Sequence, residues 1–109
     1  MVRGSRHRQF DVFRNPDAET SGTHPYLIVL QSDAIFDIDS CVVAPLISAR
    51  TIKLFERLLP RVFVDGTQYV VAIPDMAAIP TGEIGAPVAN LETDRDKLLA
   101  AIDLIFTGI

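Results

Sequence analysis

The chain has 109 residues and a mass of 12.0 kDa, the size of a single domain. Apolar residues make up 49% of it, and its mean hydropathy of +0.28 hints at an apolar face that needs a partner. No run approaches the ~20 apolar residues of a membrane span, which excludes a transmembrane protein. The polar, arginine-rich start also has no secretory signal. The single cysteine, Cys41, excludes an intrachain disulfide and favours a cytoplasmic location.

The charge balance favours a protein partner over nucleic acid. Ten Lys and Arg face fourteen Asp and Glu, which gives a net charge of −4. Three of the bases, Arg3, Arg6 and Arg8, lie in the first eight residues, so in the remaining body seven bases face fourteen acids and the net charge is −7. A domain with this negative charge is poorly suited to binding the phosphate backbone of a nucleic acid. A protein partner, or a single basic pocket, is the better expectation.

The first half of the chain predicts short strands behind a leader. We expect residues 1–8 to be disordered or partly vector-derived, and residues 9–109 to form one domain. Strands are predicted at Gln9–Phe13, at Tyr26–Leu30 and at Ser40–Ala44, the last ended by Pro45 because proline cannot donate to a ladder. Between the first two lies a polar loop, Asn15–Thr23.

The second half predicts a hairpin and a terminal helix. Ile47–Leu59 is ambiguous between a helical turn and irregular chain, whereas Asp65-Gly66 between two β-rich runs, Arg61–Val64 and Thr67–Ile73, is a strong hairpin signal. Pro74–Pro87, with three prolines and two glycines, predicts short edge strands and turns.

A helix begins near Glu92 or Thr93 and stops at Gly108. One stripe at helical spacing should pack on the sheet, and a second should face away from it. The first consists of Leu98, Ala101, Ile102, Ile105 and Ile109, and the second of Leu99, Asp103 and Phe106. The predicted class is therefore α+β, a mostly antiparallel sheet capped by a C-terminal helix.

Few residues point to catalysis or metal binding. A His24–Cys41 nucleophile pair can be imagined, but Cys41 lies in an apolar strand and is expected to be an inert core residue. Asp37 and Asp39 could form a metal or acid/base pair, although solvated turn carboxylates are the commoner case. We expect no cofactor and no metal.

Two segments suggest binding. Ser48-Ala49-Arg50 could hold a phosphate or a partner carboxylate, or form a structural salt bridge. The apolar helix end around Phe106 could pack at the sheet edge, or dock another protein.

Six motifs in order resemble the CcdB family of toxins from toxin–antitoxin modules. They are Gln9-Phe10-x-Val12, Gln31-Ser32-Asp33, Pro45-Leu46-x-Ser48-Ala49-Arg50, Asp75-Met76-Ala77-x-Ile79-Pro80, Ile84-Gly85-x-x-Val88 and Ala101-Ile102-x-Leu104-x-Phe106-x-Gly108-Ile109. The resemblance covers residues 9–109, and from Gln31 onward it needs almost no gaps. Each motif alone is weak, but their order and spacing together are specific.

The resemblance implies a small antiparallel SH3-like barrel sheet with a C-terminal helix, shared with the MazF ribonucleases, and a homodimer. It also implies a toxin of the kind that serves plasmid maintenance, which binds the gyrase A subunit without catalysis and traps the cleaved-DNA complex. A CcdA-like antitoxin would neutralise it, and the two together would repress their own operon, so that DNA is contacted only through that complex. The implied gyrase-binding residues are Asp103, Phe106, Thr107, Gly108, Ile109, Ala34 and Ile35, and the antitoxin-binding residues are Asp17, Glu19, Ser48 and Arg50.

Two departures from the family pattern matter. A well-known member has tryptophan where this chain has Thr107, and the loss of a stacking contact of ~1–2 kcal/mol would weaken gyrase binding roughly 5- to 30-fold. The loop at Asn15–Thr23 is also a few residues longer, which should change antitoxin specificity. Two alternatives stay open: a MazF-like endoribonuclease that uses Arg50 with Ser48 or Thr51, and a degenerate toxin with weak gyrase binding.

Overall fold

The computed structural model describes residues 7–35, 37–49 and 56–108. Within them, seven strands form one curled antiparallel sheet, a half-barrel, followed by one α-helix. The strands are β1 (Asp11–Arg14), β2 (Tyr26–Val29), β3 (Ser40–Ser48), β4 (Arg61–Val64), β5 (Thr67–Val71), β6 (Ala77–Pro80) and β7 (Pro87–Asn90). The helix α1 spans Arg95–Thr107, and 3₁₀ turns lie at Ile73–Asp75, Thr81–Glu83 and Glu92–Asp94. The predicted α+β class with a small SH3-like sheet is confirmed.

The sheet is organised around β3. Its order is β4-β5-β3-β2-β1-β7, and β6 pairs with β3 along the part of the strand that precedes the β5 pairing. The β4–β5 hairpin turns at Asp65 and Gly66, both with positive φ (51° and 80°). The prediction made from the Asp-Gly pair is therefore confirmed, because a type I′ turn requires positive φ at both central residues.

The prediction that Pro45 ends its strand is wrong. β3 continues to Ser48, and Pro45 lies opposite Leu27 of β2. Along its other edge, β3 changes partner at this point. It pairs with β6 up to Val43 and with β5 from Leu46 onward. The missing N–H of Pro45 falls between the two partners, while its carbonyl still accepts a hydrogen bond from the Ala72 N–H at 2.9 Å. Proline is tolerated because no ladder bond is lost.

Alternation along the strands divides the apolar residues between the two faces of the sheet. On one face Val12, Ile28 and Leu46 pack with Leu98 and Ala101 of α1 in the main core. The opposite face carries a smaller cluster of Phe13, Val29, Cys41 and Val43, covered in part by Ile79 and Ile84. Both clusters arise from period-two alternation, since neighbouring residues of a strand point to opposite faces.

The helix only partly follows the predicted stripes. It begins at Arg95 after the 3₁₀ turn Glu92–Asp94, and Leu98 and Ala101 are fully buried as expected. Ile105, however, was expected to pack on the sheet and is 37% exposed, whereas Leu99, expected to face away, packs against the main core. The packed part of α1 lies against the 3₁₀ turn Ile73–Asp75, so the buried stripe is centred on Leu98 and Ala101 and the last turn of the helix stands clear of the core.

The first described residues are hydrogen-bonded to the sheet. The backbone N–H of Arg8 donates to Asp11 Oδ2 at 2.8 Å, and Asn90 Nδ2 donates to Asp11 Oδ1 at 3.0 Å, so both oxygens of this buried carboxylate are satisfied. Residues 1–6 of the predicted leader lie outside the described residues, as do Arg50 and Thr51 in the ambiguous segment.

Candidate functional site

The last turn of α1 forms an exposed apolar surface. Gly108 has φ 75°, and its N–H donates to the carbonyl of Leu104 at 2.9 Å, the left-handed cap that the sequence predicted. Phe106 is 71% exposed, which makes it the most exposed of the large apolar residues described. Beside it the hydroxyl of Thr107 donates to the Asp103 carbonyl at 2.6 Å, so this hydroxyl is occupied within the helix. Ile109 lies outside the described residues.

The turn after β2 forms a second exposed apolar surface. The Ala34 N–H donates to Ser32 Oγ and the Ile35 N–H donates to the Ser32 carbonyl, both at 3.0 Å. These bonds fold the chain tightly and turn Ile35 outward, where it is 51% exposed. Ile38 is exposed in the same segment. Local bonding from Ser32 therefore holds an apolar side chain in solvent.

The turn is linked to the beginning of α1 and not to its end. Gln9 forms the bridge: its N–H donates to Asp33 Oδ1 at 2.7 Å, and its Oε1 accepts from Arg95 at 3.1 Å. The 13 residues of α1 extend about 20 Å from Arg95 to Thr107. Among the described residues, no hydrogen bond or ion pair joins Ala34 or Ile35 to the helix end at 103–108.

The loop between β1 and β2 presents carboxylates. Asn15 Oδ1 accepts from the Asp17 N–H at 3.0 Å, and Asp17 Oδ1 accepts from the Glu19 N–H at 2.9 Å. These successive side-chain-to-backbone turns order the loop while both acidic side chains stay exposed. Ser48 is exposed at the end of β3, and its predicted neighbour Arg50 lies outside the described residues.

The family model described as CcdB protein matches residues 9–108. The chain belongs to the CcdB family. Members of this family are toxins of toxin–antitoxin modules that poison DNA gyrase, and they are not known as enzymes. Family membership implies gyrase and antitoxin as partners, and dimerisation, in general terms. Among the described residues, no helix is long and apolar enough to cross a membrane.

In this CcdB-family chain, His24 and Cys41, the nucleophile pair considered from the sequence, are each bonded to other partners. The His24 ring bonds to the neighbouring Thr23 hydroxyl at 2.7 Å, and the atom near Cys41 Sγ is Nε2 of His7, at 3.6 Å. Burial raises the pKa of the Cys41 thiol to about 11, which disfavours the nucleophilic thiolate at neutral pH. The prediction that Cys41 is a core residue is confirmed.

The paired acids considered for metal binding are exposed. Asp37 and Asp39 lie in the turns before β3, and Asp37 adopts a positive φ of 63°. Across residues 7–35, 37–49 and 56–108, no three His, Cys, Asp or Glu side chains come together as a metal site would require.

A cavity of about 380 Å³, which sequence reasoning did not predict, opens beside the loop between β1 and β2. Its lining combines that loop with β2, β3, β6 and the turns that flank β6. Asp75 and Glu83 line it together with Asp17, although Asp75 and Asp17 are far apart in sequence. Asp75, Ala77 and Ile79 belong to one family motif and Pro45 to another, and these motifs are the sequence signals that mark this region.

Proposed function

We propose that this chain is the toxin of a toxin–antitoxin module that binds the gyrase A subunit and traps gyrase on cleaved DNA, without forming or breaking bonds itself. The proposed gyrase-binding residues are Asp103, Phe106, Thr107, Gly108 and Ile109 at the helix end, with Ala34 and Ile35. The observation that carries the proposal is the exposure of Phe106, at 71%, on a helix end held by its own cap. Exposed aromatic residues of this kind are typical anchors of protein interfaces.

Two copies of the chain provide a way to combine the two apolar surfaces. Within one protomer, the contacts of the Ala34–Ile35 turn lead to the start of α1, about 20 Å from Thr107. We therefore propose that gyrase is contacted by the turn of one protomer and the helix end of the other. Dimerisation, which the family implies, would then be part of the inhibitory surface.

Thr107 adds little to this surface in our proposal. Its hydroxyl already donates to the Asp103 carbonyl, and its side chain has no ring to stack on a cation. The main apolar contact then passes to Phe106, one residue earlier on the helix. We expect gyrase inhibition that is weaker than that of a tryptophan-bearing member but still dependent on the helix end.

We propose that a CcdA-like antitoxin binds at Asp17, Glu19, Ser48 and Arg50. The support is the ordered acidic loop, which holds Asp17 and Glu19 in solvent without a basic partner among the described residues. Gyrase acts on the bacterial chromosome, so the proposed site of action is the cytoplasm. Contact with operator DNA would come through the antitoxin complex, consistent with the acidic body of the toxin.

The test is a gyrase cleavage assay with the purified chain and a variant that lacks residues 107–109. The full chain should accumulate linear DNA only when gyrase is present, and the truncated chain should not. Expression in a host whose gyrase A has lost toxin sensitivity should abolish killing. Killing that persists in that host, or RNA cleavage by the purified chain alone, would overturn the proposal, and the second result would support the endoribonuclease alternative.

A further inference from the structure

The floor of the 380 Å³ cavity is the face of the sheet opposite to α1. In the strand register, Leu27 lies opposite Pro45 and Val43 lies opposite Ala77, so these side chains project from the same face. All four line the cavity together with Ile79. The floor is therefore a continuous apolar strip across β2, β3 and β6 that includes Val43 of the smaller core cluster.

Carboxylates stand around this apolar floor. Asp75 lies in the turn before β6, Glu83 lies in the turn after it, and Asp17 comes from the loop on the other side. The side chains of Asp75 and Glu83 accept no hydrogen bond and form no ion pair with the described part of the chain. Asp17 uses Oδ1 for the Glu19 N–H, which leaves Oδ2 free. Among the described residues, the lining includes His24 but no Lys or Arg.

These features match one kind of ligand. A metal ion is a poor match, because the three carboxylates do not group as metal ligands within the described residues. A simple apolar group would leave the carboxylates unpaired. A lysine or arginine side chain satisfies both requirements, since its aliphatic stem covers apolar surface while its charged head reaches carboxylates at the rim. The cavity is large enough for one such side chain but small for a folded element.

We propose that this cavity is the specificity pocket for one arginine or lysine side chain of the antitoxin. This inference rests on the proposed antitoxin contact at Asp17 and Glu19, which lie on the loop that forms one wall. The stem lies on Leu27, Val43 and Ile79, and the cationic head pairs with Asp75 and Glu83. Because part of the pocket belongs to the loop that is longer than in the well-known member, we expect the pocket to contribute to the altered antitoxin specificity that the loop length predicts.

The pocket can be tested without the antitoxin, with N-acetyl-arginine amide as the probe and N-acetyl-citrulline amide as its neutral match. Backbone amide signals of the ¹⁵N-labelled chain are followed by NMR as each compound is added. The arginine probe should shift the signals of Thr20, Ala77 and Glu83 with a Kd on the order of 1–10 mM. The citrulline probe should bind at least about fivefold more weakly, and added salt should reduce this difference.

The double variant Asp75→Asn/Glu83→Gln should lose this binding. A matched variant, Asp65→Asn/Asp96→Asn, removes two exposed charges elsewhere and should keep it, since Asn tolerates the positive φ of residue 65. Equal binding of arginine and citrulline, shifts spread over the whole surface, or an unchanged Kd in the pocket variant would overturn the inference.

The same variants separate this inference from the proposed function. Antitoxin that binds the parent and the pocket variant equally would leave the toxin assignment standing and refute the pocket. Conversely, localised arginine binding in a chain that does not inhibit gyrase would support the pocket and refute the gyrase proposal.

Discussion

The substitution Phe106→Ala tests the proposed gyrase contact with little effect on folding. Its side chain is 71% exposed in the protomer, so about 30% of a phenylalanine surface of ~200 Å² is buried there. At ~25 cal/mol per Å², Phe106→Ala should lower the free energy of unfolding by no more than ~1.5 kcal/mol. Truncation of a fully buried residue such as Phe10 should cost ~3–5 kcal/mol.

The effect on gyrase should be larger than the effect on folding. If Phe106 is an anchor that becomes buried against gyrase, its truncation should cost at least ~2 kcal/mol of binding, or ~30-fold in the concentration that traps cleaved DNA. The assay is a titration of toxin against gyrase and supercoiled DNA, scored by linear product. Thermal unfolding of the same preparations verifies that the variant is folded.

Phe63 provides the matched control. It is also an exposed phenylalanine, at 61%, but it lies on the edge strand β4, whose Arg61 carbonyl accepts a hydrogen bond from Lys97 near the beginning of α1. Phe63→Ala should therefore resemble Phe106→Ala in stability and resemble the parent in gyrase trapping. If the two variants trap gyrase equally well, or if Phe106→Ala stays within about threefold of the parent, the helix end is not the inhibitory surface.

Three further predictions concern the supports of the fold. Gly108→Ala should destabilise the chain by ~1 kcal/mol, measured by thermal unfolding, because a Cβ is disfavoured at φ 75°; an unchanged melting temperature would contradict this. Burial raises the pKa of Cys41 to about 11, so the folded state holds the thiol proton more tightly than the unfolded state does. The contribution of Cys41 to the free energy of unfolding should therefore be fully present below pH ~9 and should fall by up to ~2–3 kcal/mol as pH rises towards 11. Cys41→Ala should make the alkaline loss of stability smaller in urea titrations, and the part that arises from Tyr69, whose pKa burial also raises, should remain. Asp11→Ala should cost ~1–3 kcal/mol in the same titrations, because it leaves the Arg8 N–H without its acceptor and removes one of the two acceptors of Asn90 Nδ2, and a loss below ~0.5 kcal/mol would refute that role.

Local signals in the sequence were enough for the hairpin and the helix stop. Asp65-Gly66 and Gly108 both occupy positive-φ positions, and such positions select these residue types whatever the rest of the fold does. Local signals could not show that Pro45 lies inside β3 and does not end it. Whether its missing N–H interrupts a ladder depends on where β3 changes partner, and that is set by strands more than twenty residues further along the chain.

The helix shows a similar limit. Periodicity shows which residues share a face, but not how far the supporting core extends. Ile105 has the spacing of a core residue and is exposed, since the last turn of α1 lies beyond its packing partners. The exposure of Phe106 is one of the two outcomes that the composition of the helix end left open, packing at the sheet edge being the other.

The two proposed interaction surfaces are supported by different parts of the molecule. The helix end depends on the main core through Leu98 and Ala101, whereas the pocket lies on the opposite face of the sheet, on Leu27, Val43 and Ile79. Variants in the pocket should therefore leave the position of Phe106 unchanged, and effects of combined substitutions should add, as expected for distant sites. Asp75 lies on the 3₁₀ turn that packs against α1, but its carboxylate and that of Glu83 form no ion pair with the described part of the chain, so we expect single substitutions there to change antitoxin preference while toxicity is retained.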